Sequence, residues 1–134
     1  MVNTEENGKI KNMNTDILDY DNFFLPVSDL TQAKDFYQNK LGLGIKFDFS
    51  DAGMTAFSVG NQEPAIIVTD TNKIDRTKPA IWFRVDNVKV TYEQLKGRGV
   101  VFLSEPFQIQ TGMAAQFEDP FGNLIGITDY TANA

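Results

Sequence analysis

The sequence predicts an α+β fold in which one βαβββ unit is written twice. Three observations predict it: a loose internal repeat 58–59 residues long, short runs of apolar–polar alternation, and one amphipathic helical stripe in each copy. Gly53-Met54-Thr55-Ala56-Phe57 returns 59 positions later as Gly112-Met113-Ala114-Ala115-Gln116. At the same offset Ile66-Ile67-Val68-Thr69-Asp70 falls on Ile125-Gly126-Ile127-Thr128-Asp129. Upstream, Phe24-Leu25-Pro26-Val27-Ser28-Asp29-Leu30 lies over Trp82-Phe83-Arg84-Val85-Asp86-Asn87-Val88 at an offset of 58, and the slip of one fits helices that differ by one residue.

The elements follow in order. Residues 1–18 read as a polar tail, rich in Asn, Thr, Glu and Lys and without an apolar period. Residues 19–130 form a single domain, with the first module at 19–72, a charged link at 73–78 and the second module at 79–130. Phe23 to Val27 alternates as a strand, with Asn22, Phe24 and Pro26 on one face. Ser28 or Asp29 caps a helix whose stripe is Leu30, Ala33, Phe36, Tyr37 and Leu41, and Gly42 stops it. Strands at 45–49, 54–59 and 65–69 complete the first copy. The second has a strand at 81–85 and a helix from 88 to 96 ending near Gly97 or Gly99. Strands at 101–103, 114–118 and 124–128 follow, with Asp119-Pro120-Phe121-Gly122-Asn123 as a tight turn before the last.

Composition narrows the function. The chain has 134 residues, 42% hydrophobic and 22% charged, which is one globular domain's worth. Its longest apolar runs, such as Pro64 to Val68, are far below the ~20 residues of a membrane span, and the start has no secretory pattern. Zero cysteines exclude disulfides and thiolate chemistry and fit a cytoplasmic protein. Zero histidines remove the usual transition-metal ligand and the usual general base near neutral pH. A net charge of −6 and a pI near 4.5 argue against nucleic acid and anionic membrane surfaces, leaving small molecules and proteins as partners.

Three stretches carry a resemblance: Leu25 to Tyr37 (LPVSDLTQAKDFY), Leu41-Gly42-Leu43, and Asp119-Pro120-Phe121-Gly122-Asn123-Leu124-Ile125. Through them the chain, over about Tyr20 to Tyr130, resembles the vicinal oxygen chelate superfamily, the glyoxalase/bleomycin-resistance/dioxygenase group. The resemblance implies an open, cup-like eight-stranded sheet with helices outside and a ligand cavity within. It also implies a homodimer, to which the exposed aromatic Phe121 is suited. It further implies four metal positions on the first and last strands of the modules, which here hold Asn22, Ile67, Ala80 and Gly126. Ile67, Ala80 and Gly126 have no side-chain donor and the Asn22 amide is a weak one, so no metal or cofactor is expected.

Strand parity then lines the expected cup with Phe24, Phe57, Ile67 and Trp82, and with Asn22, Gln116 and Arg84 as its polar minority. Small residues at Ala80 and Gly126 leave room where the ion would sit. Phe24 and Trp82 serve equally as core or as a ligand platform, and Arg84 as a pocket residue or a surface ion-pair partner. No catalytic residue is assigned, because Glu118, the carboxylate near the last strand's face, has no partner. The expectation is a metal-free protein that binds a small aromatic or amphipathic molecule, as bleomycin-resistance proteins do. The alternatives are a glyoxalase/lyase- or dioxygenase-type enzyme with a non-standard metal site, and a metal-independent isomerase or hydrolase using Arg84, Gln116 or Glu118.

Overall fold

A computed structural model describes residues 17–133. Eight strands form one mixed sheet in the order β2-β3-β4-β1-β5-β8-β7-β6, not closed on itself. They are β1 (Ile17–Val27), β2 (Gly44–Phe49), β3 (Met54–Ser58), β4 (Ala65–Asp70), β5 (Ala80–Val85), β6 (Phe107–Ile109), β7 (Gly112–Glu118) and β8 (Leu124–Thr128). Helix α1 (Leu30–Lys34) follows β1, and α2 (Val88–Gly97) follows β5. Each module is a four-stranded half whose first strand runs parallel to its last: β1 beside β4, β5 beside β8. The halves meet along the antiparallel β1–β5 ladder. The α+β fold of two tandem βαβββ modules is the one expected.

The repeat is visible in the caps. Asp29 accepts a hydrogen bond from the Gln32 amide at 2.9 Å, and Asn87, 58 residues on, accepts one from the Val90 amide at 3.1 Å. Each helix then buries a stripe on the outer face of its half. Leu30 and Ala33 pack on Phe57 and Val68, while Val88 and Tyr92 pack on Val85, Ala115 and Ile127. A third anchor exists only in the second copy. Buried Asp129 accepts from the amides of Val88 (2.7 Å), Met113 (2.9 Å) and Thr131 (3.3 Å) and from the Thr131 hydroxyl (2.7 Å). The carboxylate of its repeat mate Asp70 bonds only the local Asn72 among the described residues.

Local details differ from expectation. The tail expected at 1–18 lies outside the described residues except for Ile17 and Leu18, which open β1. The first helix widens into a π-helical turn at 35–40, where the Leu41 amide bonds Phe36 O at 2.9 Å. That widening turns Tyr37 onto Phe57 (5.3 Å, stacked) and leaves Phe36 and Leu41 exposed. Gly42 ends the turn at φ +79°, a conformation that favours glycine. The sixth strand is not at 101–103. There Phe102 makes one isolated bridge to Phe117 and packs on Tyr92, and the ladder forms instead at 107–109. The outer edges, β2 and β6, have no further strand beside them among the described residues, and β2 carries a bulge between Ile45 and Phe47.

Candidate functional site

On the face away from the helices the two halves curve toward Phe24. This ring packs against Ala56, Ala65 and Ile67 from the first half and against Ala80, Trp82 and Ala114 from the second. Small residues flank it on both sides, so two large rings fit in the cup, Phe24 and Trp82, edge to face at 5.9 Å. Six of the expected lining residues therefore stand on the cup face: Phe24, Ile67, Ala80, Trp82, Gln116 and Gly126, the last two paired across β7–β8.

Phe57 is a correction. It was expected to face the cup, yet it is fully buried beneath α1. The ladders explain it. Gln116 pairs with Gly126, whereas Ile67, the repeat mate of Gly126, pairs with Ala56 rather than Phe57. The likeness of Gly53-Met54 to Gly112-Met113 aligns the two strands one residue out of register, and one residue in a strand reverses the face.

The room expected beside Ala80 and Gly126 is also corrected. The Trp82 indole lies directly across Gly126, where an added Cβ would come within 2.3 Å of ring carbons Cδ2 and Cε2. An ion does not fit this quartet. Asn22 has the only side-chain donor of the four, and its Oδ1 already accepts from the Ala65 amide at 2.9 Å. Among the described residues no cluster of three His, Cys, Asp or Glu side chains is arranged to hold a metal. Hard or borderline cations need several such donors at about 2.0–2.6 Å.

A residue that sequence reasoning missed fills the rest of the cup. Arg76, on the link between β4 and β5, lays its guanidinium over Phe24 (4.4 Å to the ring centroid) and toward Trp82 (5.9 Å). Its Nε and Nη1, together with Trp82 Nε1, are sealed from solvent without a hydrogen-bond partner among the described residues. Burial lowers the pKa of Arg76 from its ordinary value. One of three cations in a charged link, Arg76 carries no periodic signal that would mark it beforehand.

Beside the aromatic pair lies a polar cavity of about 420 Å³. Asn22 and Arg84 line it, each two residues along its strand from a cup aromatic (Phe24 and Trp82). Lys46, Glu63, Asp21 and Tyr130 stand around it as well, and the sequence reading did not find these four. Lys46 Nζ donates to Glu63 O at 2.6 Å, and the Tyr130 hydroxyl donates to Asp21 Oδ1. Burial, that hydrogen bond and the Asp21 charge raise the Tyr130 pKa, against a smaller pull from Arg84, and keep the phenol protonated. Arg84 is exposed and forms no ion pair with the described residues.

Paired βαβββ halves around a shared cup define a protein of the vicinal oxygen chelate type. The chain belongs to the Glyoxalase/Bleomycin resistance protein/Dioxygenase superfamily, whose family model matches residues 19–127. It is 30% identical over 104 residues to the uncharacterized protein YetH of Bacillus subtilis (strain 168), covering 73% of this chain and 87% of YetH. Among solved structures it resembles methylmalonyl-CoA epimerase from Mycobacterium tuberculosis, with a TM-score of 0.68 at 18% identity over 92% of this chain and 97% of that one. It also resembles a superfamily member from Vibrio splendidus 12B01, with a TM-score of 0.59 at 14% identity over 80% and 94% of the two chains. At such identities the structural likeness speaks for the fold alone. No helix among the described residues is long and apolar enough to cross a membrane.

Proposed function

We propose that this protein binds a small aromatic or amphipathic molecule at the cup, without a metal ion held by the protein. One observation carries the reading: at the place the superfamily reserves for its ion, an indole lies across a glycine, and the four positions offer one amide already engaged. Two aromatic rings on the cup face and a 420 Å³ cavity nearby, lined by polar and charged side chains, offer one small molecule an apolar part and a polar part. Arg84 and the Asn22 amide would orient the polar end of such a ligand, while the aromatic pair receives its apolar part.

Thermal-shift screening against planar drugs and metabolites tests this. Hits should raise the melting temperature by several degrees at concentrations well above their Kd, by mass action on the folded state. A broad panel without stabilisation overturns the reading. Metal analysis addresses the alternative enzyme with a non-standard centre. After dialysis against a mild chelator the protein should hold far less than one equivalent of Zn, Ni, Mn or Fe, and stoichiometric retention overturns the metal-free reading.

A further inference from the structure

The orphaned hydrogen-bond donors of the cup specify its ligand more narrowly. Guanidinium and indole nitrogens only donate, and a buried donor with no acceptor is costly. Here three such atoms come from side chains in contact, Arg76 Nε, Arg76 Nη1 and Trp82 Nε1, and none has a partner among the described residues. The chain does not lack acceptors: it has 18 Asp and Glu against 12 Lys and Arg. Yet the ion pairs among the described residues use Lys34, Lys46 and Lys78, and none of the carboxylates described comes to Arg76. Contact with the Phe24 face offsets part of the cost of a desolvated cation but supplies no acceptor.

We propose that the ligand is a planar aromatic carboxylate whose ring lies against Phe24 and Trp82 and whose carboxylate is received by Arg76. The inference rests on the reading of the cup as a binding site and names the ligand class for it. A carboxylate takes two parallel hydrogen bonds along one edge of the guanidinium, from Nη2 with either Nη1 or Nε, so it satisfies one of the two orphaned Arg76 donors and brings an anionic acceptor to the site. Asn22 and Arg84, each two residues along its strand from an aromatic of the cup, line the polar cavity nearby. A cationic ligand of the same shape would meet Arg76 at the aromatic pair and be disfavoured there, while the polar cavity sets Asp19, Asp21 and Glu63 beside Lys46 and Arg84. Ligand entry requires the Arg76 side chain to lift from the Phe24 face it covers.

Three probes of one shape and different charge test this: 2-naphthoate, 2-naphthamide and 2-naphthylmethylammonium, titrated calorimetrically into the full chain. The carboxylate should bind at least tenfold more tightly than the amide, and the ammonium most weakly. In Arg76→Gln the carboxylate preference should fall below about threefold, with amide binding little changed; Arg76→Lys, which keeps the charge and loses the fork, should fall between. Equal affinities for the three probes in the unaltered protein overturn the carboxylate inference while leaving cup binding standing. A preference that persists in Arg76→Gln overturns the role of Arg76. Failure of all three probes to bind overturns the inference and the cup-binding reading together. The charge series in the unaltered chain decides the ligand class even where a variant fails to fold.

Discussion

Replacing Gly126 by alanine is expected to destabilise the protein by about 3 kcal/mol and to drive its one tryptophan out of the cup. The new methyl group would stand 2.3 Å from two indole carbons of Trp82 and 2.6 Å from a third, far inside van der Waals contact. The indole is a rigid ring buried to 6% exposure, so it has no flexible end to yield. Either Trp82 abandons its rotamer or β8 shifts against β5, to which Gly126 is paired. Urea titration should show a lower midpoint, and Trp82 emission should move to longer wavelength as water reaches it. An unchanged midpoint with unchanged emission would mean that the indole does not lie across this glycine.

Asp129→Ala is expected to cost about 3–4 kcal/mol, because several donors lose a charged acceptor at once. Two of them, the Val88 and Met113 amides, tie the start of α2 to the start of β7 through one carboxylate. Burial alone would raise the pKa of Asp129, but the hydrogen bonds from Val88, Met113 and Thr131 outweigh it and the net shift is downward. The sign follows from linkage. A carboxylate whose pKa is depressed in the folded state contributes stability that is fully present above its unfolded value, near 3.9, and is lost as pH falls through the folded one. The gap between the natural chain and Asp129→Ala in chemical denaturation should therefore be constant near neutrality and narrow below about pH 4. Asp70→Ala, at the matching place in the first copy, should cost much less, because its carboxylate bonds only the local Asn72 among the described residues.

That pair shows how far a repeat can be read from sequence. Most strands, the two helices and the Asp29 cap were legible because alternation and capping are local chemistry; the matching cap at Asn87 was not read. Asp70 and Asp129 are identical letters with unequal work, since only the second has helix and strand amides within reach. Phe57 was misplaced because identity at Gly53-Met54 outweighed the pairing of Ala56 with Ile67, which sequence does not display. The run Val101 to Leu103 reads as a strand, yet Phe102 is drawn to Tyr92 and Phe117 and the ladder forms at Phe107 to Ile109. Arg76 was illegible for a different reason: its place depends on the path of a link through space, not on any period. The donor-poor quartet could be read because it required only residue identities. That Trp82 would lie across Gly126 required the volume of a neighbour on another strand.

The open sheet has a bearing on how the chain behaves when crowded. Its two margins, unpaired among the described residues, offer backbone donors and acceptors to any other extended segment, the usual beginning of fibrous aggregates. β6 is only three residues long, too short to recruit a stranger. β2 is twice that length and displays Phe49 to solvent, so its protection falls to the kink between Ile45 and Phe47 and to the charges of Lys46 and Asp48. The margin at β2 is where this protein's solubility at high concentration is decided.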